Sequence, residues 1–136
     1  MPILEQTEFW SAAAEAFADD ALELTILPTE QCNLRCTYCY ESFELGRMSP
    51  TVVAAVTRLI ERRRPELRSL VLDWFGGEPL LALDIIEQIG GFAHRLAEEG
   101  PPLELRSSIT TNGVFLTADA ARRLSRVGVR RLHVSL

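Results

Sequence analysis

The chain of 136 residues contains no lysine; all 14 of its strongly basic residues are arginine. Against 19 acidic residues they leave a net charge of −5, which argues against the basic face that nucleic-acid or anionic-membrane binding needs. No stretch approaches the ~18 consecutive apolar residues of a membrane span. Met1 to Phe9 show no basic patch followed by an apolar core, so no signal peptide is expected. Histidine occurs only at His94 and His133, which leaves few nitrogen ligands for a metal. Cysteine occurs only 3 times. An odd number of clustered thiols without a secretion signal speaks for a reducing cytoplasm rather than a disulfide framework. There is no internal repeat beyond a β-α unit and no low-complexity segment.

The three cysteines stand together as Cys32, Cys36 and Cys39, spaced C-x3-C-x2-C. Three thiolates this close can converge on one polynuclear metal centre, but they leave it one ligand short. An iron–sulfur cluster held by three cysteines keeps one iron open for a substrate or cofactor. Zinc would need a fourth protein ligand, and both histidines lie far along the chain. A disulfide would leave one cysteine over, and a redox pair of Cys36 and Cys39 would not need Cys32. The spacing therefore favours an iron–sulfur cluster.

The remainder is ordinary for a globular domain, with 47% apolar and 24% charged residues. Thr7 to Ala18 reads as a short helix with Thr7 as its cap and Phe9, Trp10, Ala13, Ala16 and Phe17 on roughly one face. Leu22 to Leu27 reads as a strand stopped by Pro28. Ser49-Pro50 opens a helix whose apolar positions Val52, Val53, Val56, Leu59 and Ile60 recur at helical spacing. Its Arg62-Arg63-Arg64 run is expected on a solvated face. Ser69 to Phe75 is a second strand, Leu83 to Glu98 a second amphipathic helix, and Leu103 to Thr110 a third strand. Thr117 caps a third helix that ends at Gly128, and Val129 to Leu136 reads as a fourth strand. His94 is expected as a solvated helix residue. The order is a leading helix and then β-α-β-α-β-α-β, which implies a parallel sheet with right-handed crossovers. A doubly wound open sheet and part of a β/α barrel both fit that order. A fourth strand without a following helix leaves an uncovered edge, so the chain is expected to be the N-terminal part of a longer protein.

Chemistry in such folds collects at the C-terminal ends of the strands, and each distinctive string lies there. Strand one runs into the cysteine loop, strand two ends in Gly76-Gly77-Glu78-Pro79, strand three in Thr111-Asn112-Gly113, and strand four approaches Ser135. The Gly76-Gly77 pair permits close approach of a ligand to bare backbone, or is a plain turn. Asn112-Gly113 by itself reads as a turn, and Ser135 as an ordinary strand serine. Tyr38 and Tyr40 bracket Cys39 and either pack on the sheet rim or offer a flat surface to an adenine ring.

Together, Cys32-x3-Cys36-x2-Cys39 after strand one and Gly76-Gly77-Glu78-Pro79 after strand two resemble the radical S-adenosylmethionine (radical SAM) enzymes, from about Leu22 to Leu136. The strings Cys-Asn-Leu-Arg-Cys-Thr-Tyr-Cys-Tyr and Trp-Phe-Gly-Gly-Glu-Pro-Leu-Leu look most like the SPASM-type peptide and protein maturases. The resemblance implies the N-terminal portion of a partial (β/α) barrel over residues 21–136, preceded by a helical extension over residues 1–20. It implies that Cys32, Cys36 and Cys39 bind three irons of a [4Fe-4S] cluster whose fourth iron is chelated by S-adenosylmethionine. Tyr38 would lie by the adenine, Gly76, Gly77 and Glu78 would hold the methionine amino group, Ser135 would contact the ribose, and Asn112 would neighbour the cofactor. The implied partners are a peptide or protein substrate and an external one-electron reductant of flavodoxin or ferredoxin type. Two other readings remain open here: a small-molecule enzyme like the cyclase of molybdenum-cofactor synthesis, and a truncated, non-catalytic cluster-binding or docking module.

Overall fold

The computed structural model describes residues 3–135. It contains α1 (Ile3–Ala16), β1 (Ala21–Ile26), α2 (Pro50–Arg63), β2 (Ser69–Trp74), α3 (Leu83–Glu98), β3 (Glu104–Thr111), α4 (Ala118–Arg126) and β4 (Arg131–Val134). A short 3-10 turn, Pro79–Ala82, leads into α3. Leu136, the expected last residue of the fourth strand, lies outside the described residues.

The strands form one sheet in the order β1-β2-β3-β4, every pair parallel. A doubly wound sheet reverses its strand order part-way; this one adds each strand on the same side, as the arc of a barrel does. The second of the two topologies compatible with the sequence is therefore the one adopted.

Local chemistry sets the helix starts. The Ser49 side chain accepts the Val52 N–H at 3.3 Å, and Pro50 occupies the first turn, where a missing N–H costs nothing. Thr117 accepts the Ala120 N–H at 3.1 Å and opens α4 in the same way. Thr7 does not cap α1, because that helix begins four residues earlier at Ile3.

One sheet face carries the core. Leu70, Leu72 and Trp74 of β2 and Ile109 of β3 are buried with Ile60 of α2, Ile86 and Ile89 of α3 and Leu124 of α4. The Gly90-Gly91 pair does not break α3. A methyl group on Gly90 would lie 3.3 Å from Val127 and 3.5 Å from the Trp74 ring, so the bare backbone admits close packing of helix on sheet. None of the described side chains of α1 joins this core; Phe9, Trp10 and Phe17 are exposed, with Phe9 edge-on to Trp10 at 5.3 Å.

The opposite face is polar. In register across the strands, Thr25 lies beside Asp73, Asp73 beside Ser108, and Ser108 beside Arg131. The Ser108 hydroxyl donates to Asp73 Oδ1 at 2.5 Å. Asp73, Ser108 and Arg131, with Glu23, Val71 and Arg106, line an open cavity of about 500 Å³. Barrel interiors are usually filled by branched apolar side chains; this concave face has hydrogen-bonding groups instead.

The Arg62-Arg63-Arg64 run is not uniformly a solvated face. Arg64 is buried, and its guanidinium donates to the carbonyls of Leu96, Glu99 and Pro101, closing the C-terminus of α3 where the helix dipole favours a cation. Arg63 reaches the Asp19 carbonyl at 2.7 Å, and only Arg62 behaves as expected. His94 is only partly solvated: it faces Glu98 at 3.4 Å and packs against the Gly128 backbone.

Candidate functional site

The cysteine loop is fastened at its base. After β1, the Met48 N–H donates to the Pro28 carbonyl at 2.8 Å, and Thr29 bridges Arg47 in antiparallel fashion. The Glu30 carboxylate accepts the Leu45 N–H at 2.7 Å. Cys32, Cys36 and Cys39 thus occupy the outer part of a loop whose two ends are held together, and all three are free thiols.

The Gly-Gly-Glu-Pro turn grips the start of that loop. Gly77 N–H donates to the Thr29 carbonyl at 3.1 Å, and Glu78 N–H to the Gln31 carbonyl at 2.8 Å. A methyl group on Gly77 would lie 2.2 Å from the Glu30 carbonyl oxygen, and one on Gly76 2.5 Å from that of Thr29. Gly76 also has a φ of +119°, which disfavours any side chain. The pair is glycine because the cysteine loop's own backbone runs against it, a reason that neither the ligand-approach nor the plain-turn interpretation contained.

Glu78 is fully buried. Its Oε1 accepts the Leu80 N–H at 3.0 Å and the Thr111 hydroxyl at 2.7 Å; its Oε2 accepts the Asn112 N–H at 2.8 Å. The carboxylate therefore joins the ends of β2 and β3 and faces inward. Asn112 extends the connection to the cysteines: its Nδ2 lies 3.8 Å from Cys32 Sγ and 2.9 Å from Asn33 Oδ1. Ser135, just past β4, donates its backbone N–H to the Thr111 carbonyl at 3.0 Å.

These strand ends surround one cavity of about 140 Å³. It is lined by Cys32, Cys36, Cys39 and Tyr38 from the loop, Gly76 and Gly77 after β2, Asn112 after β3 and Ser135 after β4. Every candidate residue except Glu78 is on its wall. The wall also includes Tyr40, which the sequence offered as an adenine surface or a rim-packing ring, and Glu41, Phe75, Thr110 and Thr111, which were not singled out as site residues. Of these, Phe75 had a readable signal, an aromatic residue immediately before the glycine pair; Tyr40 stacks on it, with centroids 6.3 Å apart and planes 9° from parallel.

The cavity's electrostatics follow from its sulfurs. A hydrogen bond with Cys36, and then the Cys36 charge, hold the Tyr38 phenol above its ordinary pKa. Partial burial first, and the Glu41 and Cys39 charges after it, do the same to Tyr40. Glu41 Oε1 is buried without a hydrogen-bond partner, an acceptor left over on the wall of a cavity rich in thiols. Among the described residues, no three His, Cys, Asp or Glu side chains stand close enough to chelate a single metal ion. The donor set is three soft sulfurs around a cavity whose wall also carries bare glycine backbone. That set fits a sulfur-ligated cluster plus a small organic ligand better than a compact tetrahedral ion.

Comparison with known proteins adds three findings. The sequence pattern of the "Radical SAM superfamily" matches residues 26–136. The GTP 3',8-cyclase of Rhodococcus opacus (strain B4) is 34% identical over 125 residues, covering 90% of this chain and 34% of that protein. The solved structure of polyhistidine-tagged anSMEcpe with bound AdoMet superposes with a TM-score of 0.68 at 28% identity, covering 85% of this chain and 32% of that one; native anSMEcpe with bound AdoMet and Kp18Cys peptide gives 0.67 at 28%, with the same coverage. The chain thus spans about a third of the length of the curated relatives it matches. Those relatives carry the cyclase name, so the maturase wording of the local strings is not what sequence similarity favours.

Proposed function

The chain belongs to the radical SAM superfamily, and on that premise we propose that residues 21–136 form the cofactor-binding arc of an enzyme acting on a small polar molecule of the nucleotide class. The family's cofactors are a [4Fe-4S] cluster and S-adenosylmethionine, and its enzymes draw on an external reductant. When bound, they supply a low-potential electron that splits the sulfonium S–C5′ bond and yields a 5′-deoxyadenosyl radical able to take hydrogen from a substrate.

The observation that carries this reading is the convergence of four strand ends on one cavity. Cys32, Cys36 and Cys39 are the cluster ligands. The Gly77 N–H is already committed to Thr29, so the glycine pair offers carbonyl oxygens, acceptors suited to the methionine ammonium. Glu78 supports that turn from within the protein rather than touching the ligand. Tyr38 and Tyr40 present exposed rings for the adenine, and Ser135 a hydroxyl for the ribose. The reductant is of the flavodoxin or ferredoxin type, and clustered free thiols suit a reducing, cytoplasmic setting.

A nucleotide-class substrate is supported by the cyclase relatives and by the concave face one layer below the cavity. There Asp73, Ser108 and Arg131 provide acceptors and a guanidinium rather than apolar packing. The test is anaerobic reconstitution, reduction with dithionite, and measurement of 5′-deoxyadenosine with and without GTP. The expected result is cofactor cleavage, with deuterium from ribose-labelled GTP appearing in the 5′-deoxyadenosine. A second reading, peptide modification, is supported by the superposition on peptide-bound anSMEcpe; transfer from a labelled peptide and none from GTP would favour it. A cluster without any cofactor cleavage would favour the docking module instead.

A further inference from the structure

We propose that Asn112 is a positioning residue for the cluster ligand Cys32, its side-chain N–H held against the sulfur so as to raise the cluster's reduction potential. The inference rests on the cluster reading above.

The geometry leaves the amide one orientation. Val114 N–H can only donate, and it donates to Asn112 Oδ1 at 3.0 Å. The NH2 group must therefore face the other way, where its two hydrogens meet two acceptors, Asn33 Oδ1 at 2.9 Å and Cys32 Sγ at 3.8 Å. The backbone is held too, because the Asn112 N–H is bound to the buried Glu78 carboxylate at 2.8 Å. A second donor, the Leu34 N–H, approaches the same sulfur at 3.4 Å.

This differs from the role the family resemblance implied for Asn112. With both amide hydrogens on the cysteine loop and its oxygen on Val114, the side chain has no free donor for S-adenosylmethionine. What it does offer is a dipole whose positive end points at a cluster thiolate from across the sheet rim. Hydrogen bonds to cluster sulfurs stabilise the more negative, reduced state and shift the potential upward. The thiolate form also strengthens the contact, because the acceptor is then charged.

The test compares anaerobically reconstituted wild type with Asn112→Asp and Asn112→Leu. Midpoint potentials are measured by an EPR-monitored titration without S-adenosylmethionine, and cofactor affinity is measured separately. Asn112→Asp keeps the acceptor for Val114 but points a carboxylate oxygen at the sulfur; Asn112→Leu only removes the donor. Both potentials are expected to be more negative than wild type, the Asp variant more so. Unchanged potentials at wild-type iron content would overturn the proposal, and a simultaneous loss of cofactor affinity would make Asn112 a cofactor contact instead. If neither variant folds, the question moves to 15N-asparagine-labelled Asn33→Asp protein, in which Asn112 is the remaining asparagine. A 15N coupling to the reduced cluster is expected there, and its absence would overturn the proposal. Iron-free wild type would overturn both this inference and the functional reading, so the two failures are distinguishable.

Discussion

The Glu78 carboxylate, with no exposed surface, accepts the Thr111 hydroxyl at 2.7 Å and so joins the end of β2 to the end of β3. The same carboxylate takes two backbone N–H groups. Truncation in Glu78→Ala strands three donors at once, two of them buried, and each buried unsatisfied group costs about 1–3 kcal/mol. A clear drop in stability on denaturant unfolding is expected. Glu78→Gln should rescue only part of it, because an NH2 group would meet donors where the carboxylate met them with acceptors. Full rescue by glutamine would show that the carboxylate does not carry the junction.

Gly77→Ala is expected to displace the cysteine loop rather than unfold the domain. The added methyl would overlap backbone oxygens of Glu30 and Gln31, at 2.2 and 2.4 Å, and neither can swing aside as a side-chain tip could. Far-UV circular dichroism should stay near wild type while iron bound per chain falls. Normal iron loading would mean that the loop can be held another way.

Cys36→Ala is expected to abolish cluster assembly, because two thiolates do not hold a cubane with an open corner. Iron and sulfide analysis after reconstitution checks this. Iron content equal to wild type would remove Cys36 from the ligand set.

The pair Glu87–Arg123 ties α3 to α4 through two hydrogen bonds of 2.7 Å. Those bonds hold the Glu87 carboxyl below its ordinary value of 4.5, against the opposing effect of burial. A carboxyl with a lowered folded pKa adds stability above its unfolded pKa and loses it as pH falls through the folded one. Glu87→Gln should therefore melt below wild type at neutral pH, and the gap should close under acid. A gap that persists below the carboxylate range would assign the effect to packing.

Arg64→Lys tests the cap on α3. The guanidinium serves three carbonyls in a planar fork, which a single ammonium does not reproduce. The melting temperature is expected to fall on this nominally conservative change, whereas Arg62→Lys, on the exposed side of the same run, should leave it unchanged.

Much of this was legible in the chain. Strand and helix order followed from periodicity, and Ser49-Pro50 and Thr117 marked two helix starts because capping is chemistry between near neighbours. The residues that gather around the candidate cavity were legible as well, since each sits at a strand end beside a turn signal. What was hidden depended on distant partners. Glu78 looked like a ligand contact and proved a buried brace, because its partners lie 33 and 34 residues away. Arg64 looked solvated and proved buried, because the carbonyls it serves come from the end of α3 and the turn that follows it, more than 30 positions away.

The alternation of elements, the trio of thiols and their company of glycine-rich strand ends are all written in local spacing, and the linear chain was enough to read them. Three further outcomes waited on packing: the strands add in one direction as a barrel arc, Gly76 and Gly77 make room for the cysteine loop's backbone, and Asn112 faces Cys32 across the rim. Each depends on which surfaces meet once the chain has folded, and local spacing does not encode a contact between residues 80 positions apart.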